Sequence, residues 1–211
     1  MKRVELLQQL QQNALVAVVR SQTEEEGLHV SEALIENGIK AIEVTLTTPN
    51  ALSIISELQK KYEEIEGVII GAGTVLDVST ASNAIYQGAS FIISPVYDQA
   101  ISKLCNLYQI PYIPGCMSVS EMKEALESGV DVIKLFPSHV YDPAIIKSIK
   151  SPLPQITLMP SGGINLSNIT QWLESGAAMI SVGGELTRDV ESVENMAQAY
   201  LDKLVAFREK E

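Results

Sequence analysis

The chain has 211 residues, of which 46% are apolar, and carries a formal net charge of −11. That length and apolar content suit a folded domain with a sizeable core rather than a disordered chain, and the acidic balance argues against nucleic acid or an anionic membrane surface as partner. Two cysteines, Cys105 and Cys116, make no disulfide framework, and no apolar stretch approaches the ~20 residues that span a bilayer.

Residues 2–12 read as a first helix. The segment turns polar too early for a secretory signal, so a reducing cytoplasm is the expected home. A short apolar strand follows at 14–20. The helix at 23–37 opens with Thr23-Glu24-Glu25-Glu26, the pattern of a capping box, and stops at Asn37-Gly38. Strand 41–45 then leads into a helix at 50–62, and strand 68–71 into one at 79–87 that ends at Gly88. Strand 91–94 precedes helix 97–108. Strand 112–114 precedes helix 118–128, which stops at Gly129. Strand 132–136 leads to helix 142–150, strand 157–160 to helix 167–175 with Gly176 behind it, and strand 179–182 to the closing helix at 189–208. The strands are short and almost continuously apolar, as parallel strands buried on both faces should be.

Eight strand-then-helix units follow one another with no Ser/Pro/Gly linker, charge block or low-complexity tract between them. The expected architecture is one domain over 1–211, an α/β fold of the (β/α)8 TIM-barrel type, with the first helix covering the barrel bottom. An open parallel sheet is the alternative, and no G-x-G-x-x-G follows the first strand to favour it. In such a barrel, function gathers where strands end. Those ends here read Arg20-Ser21, Glu43-Val44-Thr45, Gly71-Ala72-Gly73-Thr74, Ser94-Pro95, Pro114-Gly115-Cys116, Lys134-Leu135-Phe136-Pro137, Ser161-Gly162-Gly163 and Gly183-Gly184.

Two of these ends carry charge inside an apolar run. Lys134 sits within Val132-Ile133-Lys134-Leu135-Phe136, and Glu43 within Ala41-Ile42-Glu43-Val44. Long charged side chains are rarely buried without a reason. An ammonium taken out of water loses solvation, which favours its neutral, nucleophilic form, and a neutral amine can attack a ketone to form a Schiff base. A structural ion pair is the competing reading. Buried pairs add little net stability, so the pair suggests an amine nucleophile with a carboxyl proton shuttle. Arg20 can take a carboxylate bidentately or make a rim salt bridge. Gly73-Thr74 offers an N–H and a hydroxyl, or an ordinary turn with an N-cap. Ser161-Gly162-Gly163 and Gly183-Gly184 follow the seventh and eighth strands, where glycine amides commonly meet a phosphate in this architecture. Cys116 reads as packing. His29 and His139 are far apart and no His/Cys cluster has ligand spacing, so no zinc site is expected; magnesium held by carboxylates and water stays open.

These segments, with Val16-Ala17-Val18-Val19-Arg20, Ile42-Glu43-Val44-Thr45-Leu46-Thr47, Gly71-Ala72-Gly73-Thr74-Val75 and Ile133-Lys134-Leu135-Phe136-Pro137 in that order, resemble the 2-keto-3-deoxy-6-phosphogluconate (KDPG) / 4-hydroxy-2-oxoglutarate (KHG) aldolase family. The likeness runs from about residue 8 to residue 208. It implies a class I aldolase without metal or cofactor, usually a homotrimer, that cleaves a 2-keto-4-hydroxy acid to pyruvate and an aldehyde. By motif, Lys134 becomes the Schiff-base lysine and Glu43 the general acid/base. Arg20, Thr47 and Thr74 fall around the pyruvate carboxylate. Pro95 and Phe136 become pocket walls, and Ser161, Gly162, Gly163, Gly183 and Gly184 receive the distal end of the substrate. Competing functions are a barrel sugar-phosphate isomerase or synthase and a non-catalytic sugar-acid-binding protein.

The chain departs from the pattern at several points. Glu185 stands where the family often has a phosphate-binding serine. Two like charges about 4 Å apart cost roughly 4 kcal/mol at an effective dielectric of ~20, so Glu185 either weakens binding of a phosphorylated tail or turns outward, for instance to Arg188. Thr47 replaces an arginine of some members, Ser161 replaces a threonine, and Ser138-His139 replaces a small-residue–glutamate pair. The tail of the substrate is therefore open, with unphosphorylated 2-keto-3-deoxy sugar acids and KHG among the options.

Overall fold

The computed structural model describes residues 1–187 and 192–209. Strands and helices alternate as the apolar pattern predicts. After α1 (Lys2–Asn13) come β1 (Leu15–Val19), α2 (Glu24–Glu36), β2 (Ala41–Thr45), α3 (Ala51–Lys61), β3 (Ile69–Gly73), α4 (Val78–Tyr86) and β4 (Ile92–Ser94). The second half continues with α5 (Gln99–Tyr108), β5 (Tyr112–Cys116), α6 (Val119–Glu127), β6 (Ile133–Leu135), α7 (Ile145–Lys150), β7 (Leu158–Pro160), α8 (Ile169–Glu174), β8 (Ile180–Val182), α9 (Gly184–Thr187) and α10 (Val193–Arg208).

All strand pairs are parallel, in the order β7-β6-β5-β4-β3-β2-β1-β8. The ring closes between β7 and β8 through a parallel bridge from Ser161 to Ser181, a hydroxyl–hydroxyl bond of 3.1 Å between the same two serines, and Ala178 N–H to Leu158 C=O at 3.0 Å. This is the (β/α)8 barrel expected from the sequence, with α1 as the extra helix. Helix α1 buries Leu6 and Leu10, and its Arg3 bonds to Asp131, Asn106 and the Gly129 carbonyl, which fixes it to α5 and to the loop entering β6.

Several boundaries differ from expectation for physical reasons. Ala14 adopts a left-handed conformation (φ 58°) and caps α1, so β1 begins one residue later. Strand β3 runs on through Gly71-Ala72-Gly73 because β2 supplies a full ladder, with Glu43 opposite Gly71 and Thr45 opposite Gly73. At α2, Thr23 Oγ1 accepts the Glu26 N–H at 3.1 Å, but the Glu26 carboxylate takes the N–H of Gln22 rather than that of Thr23, so the expected reciprocal box is displaced by one residue. The short helix α9 and a 3₁₀ turn at Ser138–Val140 were not anticipated. The expected start of the final helix, 189–191, lies outside the described residues.

One apolar cluster links the barrel to its helices, from Leu6 to Leu204. Within it Phe91 is fully buried, and its ring occupies the space a Cβ on Gly71 would need. Removing the ring should cost roughly 3–5 kcal/mol, and adding a methyl at Gly71 roughly 1–3 kcal/mol by overpacking. We predict that Gly71→Ala costs less in a Phe91→Ala background than alone, because the cavity receives the methyl. Denaturant titrations of the four proteins measure this coupling, and additive costs would refute it.

Candidate active site

Glu43 on β2 and Lys134 on β6 lie four strands apart around the ring, so only inward-facing side chains at one level can meet. They do meet: Lys134 Nζ is 3.8 Å from Glu43 Oε1, with the residues 6% and 1% exposed. At that separation the contact is an ion pair rather than a hydrogen bond. Glu43 Oε2 is buried with no hydrogen-bond partner. The amine also lies 5.1 Å from the centre of the Phe136 ring.

Two opposing effects act on the Glu43 carboxyl. Attraction across 3.8 Å is worth roughly 4 kcal/mol at an effective dielectric of ~20, whereas removing an ion from water costs several kcal/mol. Burial accordingly dominates and raises the Glu43 pKa above the ordinary carboxylate value, with the charges of Lys134 and Arg20 opposing it. Room for this carboxyl comes from Gly73, where a Cβ would fall on the Glu43 side chain.

The pair lies in a cavity of about 720 Å³ at the carboxyl ends of the strands. Arg20, Glu43, Thr74, Pro95, Lys134, Phe136, Ser161, Gly162, Gly163, Gly183 and Gly184 all line it, so eleven of the twelve residues expected there are brought together. Thr47 is not among the lining residues; it is exposed, and its hydroxyl bonds that of Thr45 at 3.1 Å. Arg20 donates to Thr74 Oγ1 at 3.5 Å. Thr74 holds φ 58°, a left-handed conformation that a β-branched residue rarely adopts and that costs on the order of 1–3 kcal/mol. It does not cap the next helix; Asp77 does, accepting the Thr80 N–H at 2.8 Å. Cys116 is buried, and its thiol is pushed up to about 12 by burial, in keeping with a packing role.

The far end of the cavity is built from the loops after β7 and β8. Ser138, fully buried, donates to the Leu135 carbonyl at 2.7 Å and accepts the Ser161 N–H at 2.9 Å, tying the end of β6 to that of β7. This explains the serine that the sequence left without a reading. Glu185 also lines the cavity. Its Oε2 accepts the Leu166 N–H at 3.0 Å and the Tyr200 hydroxyl. Burial, then the bond to Glu185, raises the pKa of that hydroxyl. The imagined partner Arg188 lies outside the described residues.

Val18, Gln22, Glu26, Asn165 and Thr187 also line the cavity. The sequence had marked Glu26 only as a cap, and alternation along β1 from Arg20 points to Val18. Among the described residues no group of three or more His, Cys, Asp or Glu could hold a metal ion, and no helix is long and apolar enough to cross a membrane.

A barrel with a buried amine facing a buried carboxyl at its open mouth has the parts of a Schiff-base lyase. Comparison with known proteins agrees: the family model for KDPG and KHG aldolase matches residues 6–204. The chain belongs to this aldolase family and is a carbon–carbon lyase. It is 32% identical over 196 residues to 2-dehydro-3-deoxy-6-phosphogalactonate aldolase of Escherichia coli, covering 92% of this chain and 95% of that one. A solved native KDPGal structure superposes with a TM-score of 0.87 at 29% identity, covering 92% of this chain and 96% of that one. KDPG aldolase from Legionella pneumophila, solved with pyruvate captured at low pH as a covalent carbinolamine intermediate, gives a TM-score of 0.75 at 30% identity over 88% of this chain and 91% of that one.

Because Glu43 binds its proton more tightly in the folded than in the unfolded chain, its burial disfavours the folded state increasingly as pH rises. The effect is absent below the unfolded value of about 4.3 and grows until the folded value is passed. We predict that the stability of Glu43→Gln relative to the native protein rises with pH from about 4.3 upward. Denaturant titrations across pH measure this, and a pH-independent difference would contradict the burial account.

Proposed function

We propose that the chain cleaves a 2-keto-4-hydroxy acid, such as KDPG, KHG or a related 2-keto-3-deoxy sugar acid, reversibly to pyruvate and an aldehyde, with Lys134 as the covalent amine and Glu43 as acid/base. The observation that carries this reading is the buried pair at 3.8 Å in the cavity. Arg20 and Thr74 receive the substrate carboxylate, as does Thr47 if its loop turns inward. Pro95 and Phe136 wall the reacting carbons, and Ser161, Gly162, Gly163, Gly183 and Gly184 receive the distal end.

The Lys134 amine adds to the C2 carbonyl, giving a carbinolamine; Glu43 gives its proton to the departing hydroxyl, which leaves as water, so that an iminium and the Glu43 carboxylate remain. This cation draws the electrons of the C3–C4 bond as it breaks, leaving an enamine. Glu43, directly or through a water, takes the C4 hydroxyl proton, and the aldehyde departs. The same proton returns to C3, and water then hydrolyses the pyruvate iminium and frees the amine. The carbinolamine seen in the Legionella relative corresponds to the first kind of adduct in this sequence. The iminium is the electron sink, so these steps call on no metal or cofactor.

Incubation with pyruvate and borohydride should leave a stable adduct on Lys134, detected by intact mass and peptide mapping and lost in Lys134→Ala. An unmodified mass at saturating pyruvate would instead favour a sugar-phosphate isomerase or synthase, or a silent binding protein. Glu43→Gln should lower kcat by about 10²–10⁴.

We further propose one aldolase domain over residues 1–211, working as a homotrimer in the cytoplasm. The continuous core supports the first part, and the two buried free thiols suit a reducing compartment. Exposed Leu76, Val96, Met117, Val119 and Val140 follow the ends of β3, β4, β5 and β6, an apolar face suited to other copies of the chain. Sedimentation equilibrium should return three protomers, shifting toward one in Val119→Asp; a monomeric native protein would reject the trimer.

A further inference from the structure

The two ends of the cavity differ in the charges they hold, and a further lining carboxylate, Glu26, accepts the Gln22 N–H two residues beyond Arg20. Arg20 and Lys134 are the cationic side chains among its lining residues, and both belong to the end that holds Glu43, since each acts electrostatically on that carboxyl and Arg20 also bonds Thr74. The opposite end is lined by Ser161, Gly162, Gly163, Asn165, Gly183, Gly184 and Glu185, together with Ile164 and Thr187. Among the described residues lining that end, Glu185 is the one ionisable side chain.

The position of Glu185 is fixed. The Leu166 N–H, on the loop between β7 and α8, and the Tyr200 hydroxyl of α10 both donate to its Oε2, so two separate segments hold the carboxylate. Both recorded bonds go to one oxygen. Among the described residues no hydrogen bond is made to the other oxygen, Oε1, which can accept one from a ligand. The glycines carry no side chains there and leave space for a tail. Among the described residues no cation lines that end, so an anionic tail would set its charge against a fixed carboxylate with glycine N–H groups to offset it, whereas a hydroxyl can donate to Glu185 and accept from the Asn165 amide or a serine hydroxyl.

We propose that Glu185 is a specificity-determining residue that selects 2-keto-4-hydroxy acids with an uncharged, hydroxyl-bearing tail over those ending in phosphate or carboxylate. The inference rests on the aldolase reading above. It places the reaction downstream of one that supplies an unphosphorylated 2-keto-3-deoxy sugar acid, such as dehydration of a sugar acid, and makes the second product an uncharged hydroxyaldehyde.

The test compares kcat/KM for 2-keto-3-deoxygluconate and its 6-phosphate in the native protein, Glu185→Gln and Glu185→Ser. Glutamine keeps an oxygen acceptor for Leu166 and Tyr200 while removing the charge. The native protein should prefer the unphosphorylated acid by about tenfold or more, and Glu185→Gln should shift the ratio of the two by about tenfold toward the phosphate ester, mainly through KM. Glu185→Ser, which can donate a hydrogen bond to phosphate, should shift it at least as far. Native preference for the phosphate ester, or an unchanged ratio in both variants, would overturn the inference. Trapping of pyruvate by the native protein separates the two possible failures. An adduct with the wrong substrate order defeats the specificity claim alone, whereas no adduct defeats the aldolase reading and the inference with it.

Discussion

The structure turns on a carboxyl that is almost wholly buried at the floor of a cavity. Glu43 has the Lys134 ammonium position 3.8 Å away, yet one of its oxygens has no hydrogen-bond partner. Burial outweighs the attraction at that distance, so the folded chain holds the Glu43 pKa above the ordinary carboxylate value. A buried pair of this kind is poor material for stability. Its cost is offset by the surrounding aliphatic core, most of whose strand residues are fully excluded from solvent. A carboxyl whose proton affinity is raised by burial is better suited both to deliver and to retrieve a proton during a reaction than an ordinary surface carboxylate.

The scaffold divides its labour around the ring. Strands β1, β2 and β3 are five residues each and form continuous ladders, which hold Glu43 at a fixed height. Strands β6, β7 and β8 are three residues each, and the seam between β7 and β8 is held by one bridge, a serine–serine bond and the Ala178 N–H to Leu158 carbonyl bond. Short strands there release the chain early into glycine turns, and the turns make the roomy end of the cavity. Ser138 restores some of the lost connection by joining β6 to β7 from outside the ladder. The proton chemistry thus sits on the well-braced side, and the space for a variable tail sits on the side with fewer backbone bonds.

What could be read in the sequence follows from the range of the forces involved. Lys134 and Glu43 stood out because a charge within an apolar strand has few explanations, and strand-helix alternation dictated the barrel that brings them together. Partnerships between distant segments left no such mark. Nothing near Ser138 announces that its partner is Ser161, and nothing near Glu185 announces Tyr200. The end of β3 was read short because Gly71 and Gly73 weaken the local strand signal, while the β2 ladder and the Phe91 ring that require glycine there lie elsewhere in the chain. The sequence offered Thr74 both as a hydroxyl beside the substrate carboxylate and as an ordinary turn with an N-cap; its left-handed backbone is set by the fold and carries no mark in the local sequence.

Polarity along the cavity also bears on how a substrate would enter. A keto acid carries at least one carboxylate, and Arg20 is the lining guanidinium that can receive it, whereas the end beyond Gly162 and Gly183 presents the anchored Glu185 carboxylate. A molecule entering with its carboxylate toward Glu185 would face like charge, and one entering with it toward Arg20 would face attraction. The same two side chains that set the ends therefore set the direction, and with it which carbonyl carbon is presented to Lys134. Orientation by opposed charges acts before any hydrogen bond forms and demands little of the glycine loops, which can then remain shaped for volume rather than for grip. Thr74 keeps its strained backbone on the Arg20 side of this axis, where a fixed acceptor for the guanidinium matters, and the unstrained freedom of glycine is kept for the side where the tail varies.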